Sequence, residues 1–475
     1  MMENKSIKHG ITLILLANII NLFFNLATNF LLPKYLSIDT YAQIKSFILY
    51  TSYIGILHLG YSDGMYLHYG GKNIDNIPKR FVASDINTMR IFQLIITFVA
   101  LIISLLTKDV VIIASAIVIA PINMANYYKY LLQATGEFQS YSRILNITTI
   151  FTSIFLLLLL LLKNYDNYIG YLAIYIVVDF GIWIYLEWLI KNKYGIHSIL
   201  EGKFDISVLI RNIHDGILLM LGTFSNIILT GLDRWFVKIL MNSIDFAMYS
   251  FAVSIEGLMN VVVTPISITF YNFFCTLSDK ENLNNIKNKV ILFSVYIVSC
   301  AYGAKFVVEL FLIQYIDSVN AIFILFASQI FFIVTKCLYV NLYKAEKKQK
   351  NYFIKLVILI VLGIVYNVIF FKLLPNKEAF AIGTLLCGVT WLLISERDFK
   401  YCCTNIKEKL YLISVSIIFV LLGVYLKSII GFLLYILIVS VLSFIIYKRE
   451  YVNFVKIILD YLRKNIRGFL RRRSR

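Results

Sequence analysis

Charge is scarce in this 475-residue chain: Asp, Glu, Lys and Arg together make 15% of it, against 60% apolar residues. A water-soluble fold of this length would have no means of covering so much apolar surface, and the mean hydropathy of +0.78 says the same. The chain is therefore expected in a bilayer. Proline is rare, with five residues, so long helices can run with few interruptions, and each proline inside an apolar run marks a kink. The six cysteines (Cys275, Cys300, Cys337, Cys387, Cys402, Cys403) show neither C-x-x-C nor zinc-finger spacing, which argues against a disulfide framework or a metal site. No G-x-x-x-x-G-K-[ST], H-E-x-x-H or G-x-S-x-G occurs. No gap is long enough for a catalytic domain outside the membrane. Enzymatic activity and a resident cofactor are not expected.

What is present is a succession of apolar runs of about twenty residues, about fourteen in all, each sufficient for roughly 30 Å of hydrocarbon. The first, Ile11 to Leu32, has no small-residue cleavage site, so it is expected to be a retained helix with Lys5 and Lys8 on its cytoplasmic flank. The net charge of +18 is not spread evenly. It collects in alternate gaps: Lys72/Lys79/Arg80, Lys191/Lys193/Lys203, Lys280/Lys287/Lys289, Lys344/Lys347/Lys348/Lys350, Arg397/Lys400/Lys407/Lys409, and the tail after Tyr447. By the positive-inside rule both ends are cytoplasmic and the number of spans is even. Nucleic acid is not needed to explain the charge.

The chain also looks duplicated. LLQATGEFQSYSRIL (Leu131 to Leu145) returns without gaps as LYKAEKKQKNYFIKL (Leu342 to Leu356), matching Ala134 with Ala345 and Tyr141 with Tyr352 in the same polar gap between two apolar runs. The offset of about 210 positions is the scale of a six-helix transporter half. The expected fold is an all-α polytopic membrane protein with two six-helix pseudo-repeated lobes, 1–207 and 208–398. Two appended transmembrane helices (399–447) and a basic amphipathic cytoplasmic tail (448–475) complete it.

Polar residues inside the runs are the candidate functional groups. Asn18, Asn21, Asn25 and Asn29 line one helical face of the first span, which reads either as helix-to-helix hydrogen bonding or as the wall of a watery cavity that binds hydroxyls. Lys45 lies near the outer end of the second span, where it can snorkel, and His58 lies deeper. Arg90 stands just inside the third span. Pro121 with Asn123 and Asn126 marks a break that belongs in the bundle interior, and Tyr127, Tyr128 and Tyr130 read as an interfacial belt. Asp179, near the middle of the sixth span, is costly there unless protonated, paired or hydrated, so it is read as a coupling-ion residue or a structural pair.

In the second half, Thr223, Asn226, Thr230 and Asp233 repeat the one-sided polar ladder, with Arg211 and Arg234 at its two ends. Glu256 is the second deep carboxylate, with Pro265 as a second kink. Lys305 and Glu309, four apart, read as a pair that neutralises itself, and Lys336 as a snorkelling lysine.

LPKYLSIDTYAQIKSF, LLQATGEFQSYSR and LDRWFVKILMNSIDFAMYSFA, taken with the first span, resemble the polysaccharide-transporter (O-antigen flippase, Wzx-type) family of the multidrug/oligosaccharidyl-lipid/polysaccharide exporter superfamily. The resemblance covers essentially the whole chain. It implies two six-helix lobes plus two helices, and alternating access in a bacterial inner membrane. The implied cargo is an undecaprenyl-diphosphate-linked oligosaccharide of the O-antigen, lipopolysaccharide or capsule type, moved on an ion gradient or the membrane potential. Implied partners are membrane lipids, a polysaccharide polymerase and a chain-length regulator. The cavity should then hold cations and amides: Asn18, Asn21, Asn25, Asn29, Lys45, Arg90, Arg211, Asn226, Asp233 and Arg234, with Asp179 and Glu256 for the coupling ion. The acidity of the two deepest charges also fits an ion-coupled multidrug or cation exporter. A membrane-embedded polymerase or glycosyltransferase would need an outer loop that the sequence lacks.

Overall fold

The computed structural model describes residues 20–162, 166–276 and 281–473, and every regular element in them is helical. A helix described from 20 to 35 (α1) leads through α2 (Ile38–Thr51) and a 3-10 turn (Ile54–His58) to α3 (Tyr61–Tyr69). Then follow α4 (Lys79–Thr107), α5 (Val110–Ile117), α6 (Ile119–Ala134), α7 (Phe138–Leu161), α8 (Tyr168–Tyr194), the short α9 (Ser198–Glu201) and α10 (Ile206–Leu240). The rest comprises α11 (Ser243–Gly257), α12 (Met259–Thr276), α13 (Glu281–Ile297), α14 (Cys300–Phe311), α15 (Val319–Val334), α16 (Val340–Ala345), α17 (Gln349–Leu373), α18 (Glu378–Glu396), α19 (Ile406–Tyr425) and α20 (Ser428–Arg473). Twelve stretches among the described residues are long and apolar enough to cross a bilayer. With α1 and the interrupted α2–α3 segment they make up the expected set of about fourteen. This is a multi-pass membrane protein.

The chain forms two compact units, Met1–Arg234 with Asn242–Ser250, and Trp235–Met241 with Phe251–Arg475. Most of α10 thus packs with the first unit. In lipid, apolar contact between helices has no advantage over apolar contact with acyl chains, so close backbone approach and polar clips decide which helices associate. In the first unit α3 and α10 touch backbone to backbone. A Cβ on Gly64 would lie 2.0 Å from the Asn212 carbonyl oxygen, and one on Gly216 2.0 Å from that of Gly60.

The interruption between α2 and α3 releases backbone carbonyls that lipid could not satisfy. Two amides take them: Asn123 Nδ2 donates to Ile54 O (3.3 Å) and Gln93 Oε1 (2.7 Å), and Gln93 Nε2 donates to Leu57 O (3.3 Å). The break in the fourth span falls at Val118, and Pro121 sits in the first turn of α6, where its missing N–H costs nothing. Tyr127 and Tyr128 correct the expected belt: both are fully buried, packed among Tyr61, Met89, Leu131 and Leu186. Helix α6 is covered by α3, α4, α7 and α8, which leaves these rings no water–lipid boundary to meet.

In the second unit α15 is almost wholly buried, and Tyr302, Phe323, Phe419 and Tyr435 form an aromatic knot around it with ring centroids 5.0–5.8 Å apart. The α19–α20 hairpin is fastened at both ends. At one, Lys287 Nζ donates to Glu408 Oε2 (2.9 Å) and Cys403 O (2.8 Å) in a buried pocket. At the other, Lys305 Nζ donates to Gly423 O (2.7 Å) and Leu426 O (2.6 Å), the orphan carbonyls that end α19. Glu309 Oε2 accepts from Ser428 Oγ (2.6 Å) at the start of α20, and Lys305 and Glu309 are themselves 3.7 Å apart. The pair read from its spacing therefore exists, and it also clamps a turn. Helix α20 bends at Tyr447 and continues to Arg473; side chains beyond Lys456, where the apolar and basic faces of the tail are expected, lie outside the described residues.

The two similar junctions share one backbone hydrogen-bond pattern. At the first junction Thr135 N donates to Leu131 O (3.0 Å), Glu137 N to Leu132 O (2.8 Å) and Tyr141 N to Glu137 O (3.0 Å). At the second, Glu346 N donates to Leu342 O (2.9 Å), Lys348 N to Tyr343 O (2.8 Å) and Tyr352 N to Lys348 O (3.1 Å). The left-handed residue of the first turn is Gly136 (φ 77°) and of the second Lys347 (φ 56°).

Candidate functional site

The first-span ladder faces two ways. Asn18 lies outside the described residues, Asn25 is exposed, and Asn21 and Asn29 are half-buried, the Asn21 Oδ1 enclosed without a hydrogen-bond partner among the described residues. Pro33 stands four residues after Asn29 near the end of α1, removing the donor that Asn29 O would otherwise bind. The Asn29 side chain is met from α2: Lys45 Nζ donates to its Oδ1 at 3.5 Å and lies 5.1 Å from the Tyr41 ring centroid.

Arg234, on α10, is close enough for its charge to act on Lys45. Its Nε is buried and has no hydrogen-bond partner among the described residues. Its neighbour Asp233 is 5% exposed and held in place by Tyr249, whose hydroxyl donates to Oδ2 at 2.6 Å, while Oδ1 accepts the Arg234 amide at 2.8 Å. Beside them a methyl group on Gly231 would come within 2.4 Å of the Tyr53 hydroxyl and 3.2 Å of an Arg234 guanidinium nitrogen. Asn226 is half-buried two turns nearer the N-terminus of α10. Asn29 and Lys45 thus meet between α1 and α2, and the charge of Arg234 on α10 reaches Lys45. Two like charges at close range repel, and an anion between them relieves that repulsion.

The other expected residues lie elsewhere. Arg90 is enclosed in a network: its guanidinium donates to Glu187 Oε1 (2.7 Å), Asn87 Oδ1 (2.7 Å) and Ser198 Oγ (2.7 Å), while Trp183 Nε1 also donates to Glu187 (3.1 Å). Such a network leaves the guanidinium few donors for a ligand. Arg211 is half-exposed and 3.9 Å from the buried Asp85, which also accepts from the Tyr69 hydroxyl. At 1.5 Å per residue Arg211 and Arg234 stand about 34 Å apart along α10, at opposite ends of one helix.

The two deep carboxylates each have a lysine for company. Asp179 on α8 is half-buried, and the charges of Asp179 and Lys129 on α6 act on each other. Glu256 accepts a hydrogen bond from Gln329 Nε2, and the charge of Lys336 acts with it. Lys336 does not snorkel: it stands in the π-helical turn Thr335–Tyr339 between α15 and α16, its Nζ 5.6 Å from the Phe332 ring centroid. The reason is geometric. Helical side chains tilt toward the N-terminus, and the basic end of this helix is its C-terminus, so Lys336 leans away from the basic junction and into the protein. Lys129, near the C-terminal end of α6, leans the same way. The sequence reading passed over Lys129, Asp85, Tyr249 and Gln329; only the one-directional tilt of side chains on α6 and α15 could have signalled the two lysines.

No protein-family model matches the chain, and no curated protein matches it in sequence. Solved structures do share its fold. One is the "Lipid II flippase MurJ, inward closed conformation", with a TM-score of 0.56, 16% identity, and coverage of 91% of this chain and 97% of that one. Another is an outward-facing multidrug-resistance MATE family transporter of the MOP superfamily (TM-score 0.53, 12% identity, 83% and 96% covered). A third is a crystal structure of a point mutant of MATE (0.52, 13%, 83% and 96%). Over nearly its whole length, this chain has the MOP-type transporter fold.

Proposed function

We propose that this protein is a flippase that moves an undecaprenyl-diphosphate-linked oligosaccharide across a bacterial inner membrane by alternating access, of the Wzx type in O-antigen or capsule assembly. The observation that carries the reading is the Lys45 ammonium held at the Asn29 amide, within reach of the Arg234 charge. A diphosphate needs cations, which Arg presents as a planar fork and Lys as a point charge, and the hydroxyls of a sugar need amides. Asn21, Asn25 and Asn226 extend the amide wall, Asp233 positions Arg234, and Arg211 serves the basic mouth of the same helix. Asp179 and Glu256 carry the coupling ion. The fold it shares with a structure titled as a lipid II flippase supports the same substrate class.

The competing cation-exporter reading draws on the two deep acids, and the lysine beside each of them removes the net negative charge that a cation would need. The test is export in cells lacking their own flippases. Wild-type chain restores surface polysaccharide, whereas Arg234→Ala and Lys45→Ala, at matched membrane abundance, leave the lipid-linked precursor in the inner leaflet. Restored resistance to cationic drugs without any restored glycan would overturn the reading.

A further inference from the structure

The apolar run of α20 ends at Ile446, and the helix bends at the next residue, Tyr447, whose backbone (φ −121°, ψ 34°) leaves the helical region before the chain runs on to Arg473. The bend is packed on both sides. Tyr447 is 3% exposed, its ring centroid 5.5 Å from that of Tyr411 on α19. Past it, Glu450 accepts from Asn288 Nδ2 of α13 (3.3 Å), and the Tyr296 ring of α13 stacks on Tyr451 (6.4 Å) and on Phe454 (5.8 Å). The Tyr296 hydroxyl is also 3.1 Å from Ser440 Oγ, so one side chain of α13 touches α20 before and after the bend. The direction in which the tail leaves the span is thus set by α13 and α19.

We propose that this tail is a docking arm for an anionic lipid surface, lying along the leaflet at which α20 ends and tying the second unit to it. Two observations carry this. First, cations gather at the bend. Lys448, Arg449 and Lys456 are exposed, and so is Lys289, next to the Asn288 that holds Glu450. Lys287, by contrast, is buried against Glu408 and takes no part. Four exposed cations where an apolar span ends stand at the level of the lipid headgroups, which an anionic leaflet fills with negative charge.

Second, the sequence beyond the bend continues the same sorting. From Lys448 to Arg475 it has ten Lys and Arg against one Glu and one Asp. Phe454, Val455, Ile458, Leu462, Ile466 and Phe469 recur at helical spacing, with Lys456, Arg463, Lys464 and Arg467 at the positions between them. The helix from Lys448 to Arg473 is about 39 Å long. Carried straight on from α20, it would take that apolar row out into water. Turned at Tyr447 into the plane of the headgroups, it keeps the apolar row at the acyl boundary and its cations among lipid phosphates. Apolar residues alone would hold the tail on any bilayer; the cations make the docking selective for anionic lipid and sensitive to salt.

The test places the full chain in nanodiscs of phosphatidylcholine alone and of phosphatidylcholine mixed with phosphatidylglycerol, and follows backbone hydrogen exchange by mass spectrometry. Amides from Lys448 to Leu470 are expected to exchange at least about tenfold more slowly in the anionic discs, with the difference lost at high salt. The quadruple variant Lys456→Gln/Arg463→Gln/Lys464→Gln/Arg467→Gln should exchange in anionic discs as fast as wild type does in neutral ones, while the amides of α13 and α19 stay as protected as before. Equal exchange of the wild-type tail in the two kinds of disc overturns the proposal, and is the result a tail made for a protein partner would give. Undiminished protection in the quadruple variant overturns it as well. The wild-type comparison needs neither a variant nor transport, so it decides the inference whatever becomes of the flippase reading.

Discussion

Glu137 accepts a 2.7 Å hydrogen bond from the hydroxyl of Tyr194, joining the first repeated junction to the end of α8. Lys193 completes the staple at 2.9 Å. The second unit makes the same kind of joint with its polarity exchanged: Asp398, just past α18, accepts from Tyr343 of the junction (2.7 Å) and from Lys355 on α17. Partial burial works against both carboxylates, but the hydrogen bonds and the lysine charges outweigh it and hold each below its ordinary value.

A pH dependence follows with a definite sign. A carboxylate whose value is lowered on folding stabilises the protein above its unfolded value, and that contribution is lost as pH falls through the folded one. Thermal stability of the solubilised protein should therefore begin to fall as pH drops below the ordinary values of 4.5 for Glu137 and 3.8 for Asp398. The double variant Glu137→Gln/Asp398→Asn should be less stable at neutral pH and show a flatter acid limb. Parallel acid limbs for the two proteins would count against the staples.

The two junction turns make opposite predictions for one substitution type. Gly136 has open space where a Cβ would go, so Gly136→Ala meets only the backbone cost of a left-handed residue, about 1 kcal/mol. Lys347 already bears that cost, and Lys347→Gly should return up to about 1 kcal/mol less the chain entropy of glycine. Unfolding midpoints of the two variants should move in opposite directions.

At the crossing of α3 and α10 there is no such room. Gly64→Ala and Gly216→Ala each drive a methyl group into the backbone of the facing helix, an overpacking cost of about 1–3 kcal/mol if the helices separate to accept it. Both should lower the unfolding temperature, and Gly222→Ala, on the same helix with open space at its Cβ, should not.

The alternating basic gaps predict one topology. Reporter fusions after Lys72, Lys203, Lys289, Lys348 and Lys407 should all signal cytoplasm. Periplasmic signals at two of them would be incompatible with an even number of spans.

How much of this was legible in the sequence depends on how local each signal is. Span positions and the duplicated junction rest on runs and spacings along the chain, and the Lys305–Glu309 pair is one helical turn in sequence, so all of these were readable. Arg90 was not, since its partner Glu187 lies 97 positions away and nothing in either run names the other. Lys336 was misread because distance to the helix end was weighed without the direction in which helical side chains tilt. Tyr127 and Tyr128 look like an interfacial belt in any linear reading, and only the helices that cover α6 put them in the core. Of the candidate site, the amide and cation types were visible, but the Lys45 ammonium held at the Asn29 amide, within reach of the Arg234 charge, depends on how three helices sit.

That cationic site is the central claim, and the rate of flipping of a labelled undecaprenyl-diphosphate oligosaccharide by the purified chain in proteoliposomes tests it most directly. Arg234→Ala and Lys45→Ala should each slow the initial rate at least tenfold, about 1.4 kcal/mol of lost stabilisation. Arg234→Lys should stay within about threefold of wild type because a point charge still meets a phosphate. Lys427→Ala, exposed in the turn between α19 and α20, should leave the rate unchanged. Wild-type rates from both alanine variants at equal reconstituted protein would contradict a cationic diphosphate site at these residues.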